Sequence, residues 1–163
     1  ALALVFSFLE GMLPTAAVLP PGVKLGLSNI VTMYALFFLG AKEGYVIAVL
    51  KSLFVLLVRG PIGAALSLAG GLVSITVMAL LGIIPSLKQS KSVLSIVGAV
   101  FHNIGQLLMS VVIIGNTWAF GYLPVMVVSG VGMGLITGII LKLITPYLIS
   151  LNVGLNKNLF NGG

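Results

Sequence analysis

Long apolar runs separated by short breaks constrain this chain more than any other feature. A helix that crosses a membrane needs about 20 mostly apolar residues. Six runs approach that length: Ala1–Leu19, Leu25–Gly40, Gly44–Val58, Ala64–Ile84, Val93–Gly115 and Tyr122–Ser150. The breaks hold turn-forming or polar residues: Pro20-Pro21-Gly22, Ala41-Lys42-Glu43, Arg59-Gly60-Pro61, 85–92 and 116–121. We therefore predict an all-α polytopic membrane protein, with a bundle of six transmembrane helices over residues 1–151 and a polar tail over 152–163.

The composition excludes several classes of function. Hydrophobic residues make up 60% of the chain and charged residues 6%, and the mean hydropathy is +1.29, whereas a soluble domain needs a charged exterior. There is no cysteine for thiolate chemistry, no aspartate for a Mg²⁺ site of diphosphate chemistry, and no P-loop motif. The net charge of +6 comes from scattered cations, which is typical of topology signals rather than of a nucleic-acid site. We expect no catalytic residues, no cofactor and no nucleic-acid partner.

The distribution of cations between the breaks predicts an orientation. With six spans, Lys42, Lys88, Lys91 and Lys157 lie on one side of the membrane, and Lys24 and Arg59 lie on the other. The positive-inside rule places the larger group, and with it both termini, in the cytoplasm. Lys24 and Arg59, on the outer side, then need another explanation.

Small residues recur every four positions on three of the predicted helices. The ladders are Ala3, Ser7 and Gly11 on the first helix, Gly70 and Ser74 on the fourth, and Gly130, Gly134 and Gly138 on the sixth. Such spacing forms a groove that lets another backbone approach closely. For the fourth and sixth helices we predict packing within the bundle. For the first helix, an external partner helix is an equal alternative.

Two opposite charges lie inside predicted spans. Glu10 is nine residues below Leu19 and Lys51 is eight residues below Arg59, which corresponds to depths of roughly 13 and 12 Å. Pairing would remove much of the cost of placing each charge in the membrane. The pair is either an architectural ion pair or part of the lining of a solute cavity.

The fifth predicted helix adds His102, Asn103 and Gln106. These positions share one face of a helix, and polar side chains at membrane depth must face the bundle or a cavity. The stripe is therefore either a satisfied core cluster or the wall of a polar cavity. A metal site is not expected, because one histidine and one nearby acid supply too few ligands.

A further cluster lies at the outer ends of the predicted spans. The segment Pro20-Pro21-Gly22 forms a tight turn that places Lys24 over the bundle together with Arg59. Ser28 and Asn29 begin the next helix, whose N–H groups favour an anion. These features suggest a solute with a carboxylate or phosphate, and the alternative is contact with lipid headgroups.

Three segments carry a resemblance to a known family. They are PGVKLGLSNIVT at 21–32, GAVFHNIGQL at 98–107, and YLP at 122–124 followed by Ser129-Gly130. The chain resembles the Gx transporter family, whose members are often labelled heptaprenyl diphosphate synthase component I. That family is similar to the substrate-binding S components of energy-coupling factor (ECF) vitamin transporters.

The resemblance implies a six-helix, S-component-like subunit of the bacterial cytoplasmic membrane with both termini in the cytoplasm. In such proteins the loop after the first helix covers an outward-facing site. Small residues on the first helix contact a coupling protein that is driven by two ABC ATPases. Ala3 and Ser7 correspond to that coupling motif, although Ser7 replaces its second alanine.

Three functional hypotheses remain open from the sequence. The leading one is an uptake subunit for a small, anionic vitamin or quinone/isoprenoid precursor. Its expected site residues are Glu10, Lys24, Asn29, Lys51, Arg59, His102, Asn103 and Gln106. The second is a secondary transporter that uses Glu10 as its proton carrier. The third is a non-catalytic membrane subunit that assists prenyl diphosphate synthesis.

Overall fold

The computed structural model describes Phe8 and residues 27–84, 90–115 and 117–150, and these residues are almost entirely helical. The elements are α1 (Leu27–Phe38), α2 (Ala41–Leu81), α3 (Lys91–Ile114), a 3₁₀ helix (Thr117–Tyr122) and α4 (Leu123–Ser150). No strand occurs within the described ranges, which confirms the all-α prediction there. Apart from Phe8, the first predicted segment, Ala1–Leu19, lies outside the described residues, as does the tail.

Helix α2 is folded back on itself at Gly60. Its 41 residues would span about 60 Å if straight, twice the thickness of a hydrocarbon core. Gly60 instead has φ 77° and ψ −176°, a conformation that essentially only glycine adopts. The Tyr45 hydroxyl is 2.8 Å from Thr76 Oγ1, and a Cβ on Gly71 would lie 3.1 Å from Ala48 Cβ. The first arm (41–59) therefore runs antiparallel to the second arm (61–81), which confirms the predicted break at Arg59-Gly60-Pro61.

The predicted break at Ala41-Lys42-Glu43 is wrong, because these residues form the first turn of α2. The chain turns at Leu39 and Gly40 instead, and Gly40 has φ 131°. Glu43 Oε2 lies 2.9 Å from the position that a Cβ on Gly40 would take. An acidic side chain in the first turn of a helix is favoured by the helix dipole. Glu43 therefore supports the start of the helix, although its charge suggested a loop.

Helix α1 lies antiparallel to the first arm of α2. Leu36 packs against Gly44 at one end of the contact, and Asn29 meets Lys51 at the other. The second arm packs on α3, where the Ser74 hydroxyl donates to the carbonyl oxygen of Gly98 at 2.7 Å. Ser74 and its ladder partner Gly70 therefore pack within the bundle, as predicted.

Helices α3 and α4 form a close antiparallel pair through the glycine ladder of α4. A Cβ on Gly130 would lie 2.9 Å from Val100 Cα, and one on Gly138 would lie 3.1 Å from Ser92 Cα. Between them, a Cβ on Gly134 would collide with Ile96 Cα. This confirms the prediction that the ladder serves packing within the bundle. The ladder of the first helix (Ala3, Ser7, Gly11) lies outside the described residues.

Two apolar clusters lie at different depths in the bundle. The larger one occupies the end near Lys91 and includes Met33, Phe38, Ile75, Leu94 and Leu141. The smaller one joins Leu107, Met126 and Ala119 near the opposite end. Buried polar side chains of α2 and α3, among them Lys51 and His102, lie between these clusters.

Within the described part of the chain, three helices are long and apolar enough to cross a membrane: Ala41–Leu81, Lys91–Ile114 and the run Thr117–Leu143. This supports a membrane-embedded protein, while the count of six spans stays a prediction. Among the described residues, Lys42, Lys91 and Lys142 lie at the end of the bundle where α1 ends, and the Lys91 ammonium lies 5.2 Å from the centre of the Phe38 ring. Arg59 lies at the opposite end, beside the Gly60 fold.

We expect Gly134→Ala to lower the free energy of unfolding by about 1–3 kcal/mol, because its methyl group would push against the α3 backbone. The change can be measured by SDS titration in mixed micelles, with helicity followed by circular dichroism. Gly132→Ala is the matched control, since a Cβ there meets no atom within 4 Å. Equal effects of the two substitutions would contradict the proposed role of the ladder.

Candidate functional site

Lys51 is a buried cation in the middle of the first arm of α2. Its side chain is only 6% exposed, and its Nζ donates a hydrogen bond of 2.7 Å to Asn29 Oδ1. Lys51 is nine residues from Lys42 and eight from Arg59, or about 13 and 12 Å along the helix. The ammonium group therefore lies near the middle of this arm, and an uncompensated charge at such a position in a membrane-spanning helix is costly.

Asn29 lies in the first turn of α1 as described. The antiparallel pairing with the first arm places this turn level with Lys51, inside the bundle. The Asn29 side-chain amide therefore meets the Lys51 ammonium inside the bundle and gives that charge a neutral acceptor.

His102 and Gln106 form a second buried pair on α3. The amide nitrogen Nε2 of Gln106 is 3.1 Å from Nε2 of His102, and the two side chains are 7% and 6% exposed. Both lie against Gly70 of the second arm: a Cβ on that residue would be 2.9 Å from His102 Cε1 and 2.8 Å from Gln106 Cγ. The absence of a side chain at Gly70 therefore leaves space for this pair, a role that was not predicted from the sequence. The four-residue spacing of Gly70 and Ser74 is the sequence signal that could have indicated this close contact.

Asn103 contacts a different helix from His102 and Gln106, the other two residues of the predicted stripe. Its amide nitrogen donates 2.8 Å to the Met126 carbonyl oxygen, and it lies 3.3 Å from the Ser129 hydroxyl, both on α4. Successive residues of a helix are rotated by about 100°, so His102 faces the second arm of α2 while Asn103 faces α4. The three polar residues are therefore divided between two helix contacts, and Asn103 joins α3 to α4.

The hairpin of α2 brings the two buried pairs to neighbouring depths. Gly71 packs against Ala48, one turn from Lys51, while the adjacent Gly70 packs against His102 and Gln106. Ser52 and Ser67, on opposite arms, are also buried at this level. We call this set the polar layer: Asn29, Lys51, Ser52, Ser67, His102 and Gln106.

The remaining predicted site residues are not brought into the polar layer by the described structure. Arg59 is exposed at the fold of α2, roughly 12 Å above Lys51. Glu10 and Lys24 lie outside the described residues, so the pairing of Glu10 with Lys51 stays a prediction. Within the described ranges, no three His, Cys, Asp or Glu side chains come together. The polar layer instead offers one cation with amide, imidazole and hydroxyl groups, a set suited to an anionic or polar solute.

A double-mutant cycle tests the bond between Asn29 and Lys51. Asn29→Leu removes the amide acceptor of a buried ammonium group and should lower the free energy of unfolding by about 1–3 kcal/mol. The same change in a Lys51→Met background should cost at least about 0.5 kcal/mol less, because the charge is absent there. The free energy of unfolding of all four proteins is measured by SDS titration. Strictly additive effects of the two substitutions would show that the bond contributes nothing to stability.

Comparison with known protein families gives a match over most of the chain. The family described as heptaprenyl diphosphate synthase component I matches residues 1–144, which is most of the chain. Comparison with curated proteins and with solved structures gives no match. The matched region includes every residue of the polar layer. The chain therefore belongs to the heptaprenyl diphosphate synthase component I family.

Proposed function

We propose that this protein is a membrane-embedded, substrate-binding subunit, similar to an ECF S component, for uptake of a small anionic solute. The observation that carries the proposal is the buried Lys51, bonded to Asn29 near the middle of the bundle. A buried charge contributes little to stability compared with apolar packing, so its presence favours a functional role. A carboxylate or phosphate could bind the ammonium group by a charge-assisted hydrogen bond.

The proposed topology has six spans. In this topology the two arms of α2, together with the short helix α1 and with α3 and α4, would form five of them. The run Ala1–Leu19 would supply the sixth. Both termini then lie on the side of Lys42, Lys91 and Lys142, which the positive-inside rule assigns to the cytoplasm of a bacterium. The polar layer would be reached from the opposite side, near Arg59 and Lys24.

The chemistry of the polar layer supports a class of solute rather than one compound. One cation, one imidazole and two amide side chains suit a solute with a single acidic group and further polar atoms. A vitamin with a carboxylate and a carboxylated or phosphorylated quinone or isoprenoid precursor both meet this description. In this proposal the chain binds its solute without converting it, so it is not an enzyme.

Solute binding can be tested by native mass spectrometry of protein purified from its native membrane. Wild-type protein should retain an acidic small molecule, and Lys51→Met should reduce its occupancy at least about tenfold, because the buried cation is lost. Lys142→Met is the matched control, since that lysine is exposed on α4 at the Lys91 end of the bundle, and this variant should bind the solute normally. Equal retention by all three proteins would refute the role of Lys51.

The ECF partnership requires a separate experiment. Wild-type protein should co-purify with a transmembrane coupling protein and two ABC ATPases, and Ala3→Trp should abolish both the association and uptake, because a bulky side chain blocks close helix contact. Uptake into liposomes by the chain alone, driven by a pH gradient and lost in Glu10→Gln, would instead identify a secondary transporter.

The family description favours a second candidate function, that of a membrane component of a prenyl diphosphate synthase. In that role the chain would hold a prenyl substrate or product in the membrane while a soluble partner performs the chemistry. Adding the reconstituted chain to the soluble component should then raise prenyl diphosphate synthesis. An unchanged rate in the presence of the chain would dispose of this candidate.

A further inference from the structure

The hairpin of α3 and α4 contains no charged side chain between its two ends. From Ser92 to Leu141 the sequence has no Asp, Glu, Lys or Arg. Lys91 and Lys142 frame this stretch at one end of the bundle, and the glycine ladder fixes the antiparallel pairing between them. The turn of the hairpin, Thr117–Tyr122, therefore lies at the end farthest from both lysines.

The length of α3 determines the depth of that turn. Its 24 residues rise about 36 Å, slightly more than a hydrocarbon core of about 30 Å. When Lys91 is at one membrane–water boundary, the turn is at or just beyond the other boundary. It is too far from Lys91 to lie at the bilayer centre, yet it carries no charge that would draw it into water.

The turn presents three aromatic side chains outward. Trp118 is 85% exposed, Phe120 43% and Tyr122 48%, whereas Ala119 packs inward against the cluster of Leu107 and Met126. Gly115 ends α3 in the left-handed conformation, with φ 68°, and sets the direction of the turn. Because Ala119 is packed in the bundle, the backbone of the turn is held against it while the three rings remain exposed.

We propose that Trp118, Phe120 and Tyr122 form an aromatic anchor in the headgroup–acyl boundary of the leaflet opposite Lys91. Tryptophan and tyrosine are enriched at that boundary, where the ring body meets acyl chains and the N–H or O–H meets water and headgroups, and the Phe120 ring adds apolar area to the same surface. A lipid boundary suits this surface better than a protein partner, because its depth matches the membrane edge and it offers no charge for specific pairing. The anchor would set the depth at which the bundle, and with it the polar layer, is held.

Trp118 is the sole tryptophan of the chain, so intrinsic fluorescence reports on this position alone. The full-length protein would be reconstituted into phosphatidylcholine vesicles that contain lipids brominated at shallow or deep acyl positions. Shallow bromines should quench the emission at least about twofold more strongly than deep ones, since the leaflet core is about 15 Å thick. Iodide in the aqueous phase should quench only weakly.

A relocated tryptophan provides the matched control. The double variant Trp118→Phe, Val128→Trp moves the fluorophore to a 72% exposed position on α4, level with His102 near mid-membrane. Its emission should be quenched more strongly by deep bromines. For the wild-type protein, strong iodide quenching would show that the turn stands in water. Weak quenching by both lipids and iodide would show that protein covers it. Either result would overturn the proposal.

Discussion

Close backbone contact along α3 is the constraint on which the arrangement of the other helices depends. On one side, the glycines of α4 approach the α3 backbone at Ser92, Ile96 and Val100. On the other side, Gly98 and Gly105 of α3 lie against the second arm of α2. Apolar side chains are no better solvated by each other than by lipid, so helices in a membrane associate through such tight contact and through hydrogen bonds. Helix α3 thereby fixes the positions of α4 and of the second arm of α2.

The polar layer follows from this close packing. Once Gly70 brings the second arm onto α3, His102 and Gln106 are enclosed and bond to each other. The fold at Gly60 then places the first arm, with Lys51, at a neighbouring depth, and α1 contributes Asn29 as its acceptor. Four separate chain segments therefore supply polar groups to one level of the bundle. Apolar clusters lie on either side of this level, and such low-dielectric surroundings strengthen the electrostatic interactions within it.

The sequence predicted the helices better than it predicted the surroundings of individual side chains. Apolar run length and turn residues located α1, both arms, α3 and α4 within a few residues, because the bilayer imposes a minimum length on each span. The break at Ala41-Lys42-Glu43 was misplaced because charge suggested a loop, whereas a helix start also accepts an acidic residue. The division of His102 and Asn103 between two neighbours depends on the rotation of α3 within the bundle. The pairing of Lys51 with Asn29 depends on the register between α1 and the first arm of α2. The sequence pattern of a single segment contains neither the rotation of a helix nor its register with another helix.

The fold at Gly60 bears on how the protein enters the membrane. The two arms of α2 are joined without an intervening polar loop, so almost no hydrophilic chain has to be translocated between them. The first arm carries Lys51, whose insertion into the membrane on its own would be unfavourable by about 3 kcal/mol. Its acceptor Asn29 precedes it in the chain and leaves the ribosome first. The order of synthesis thus makes a partner for the buried lysine before the lysine itself has to enter the bilayer.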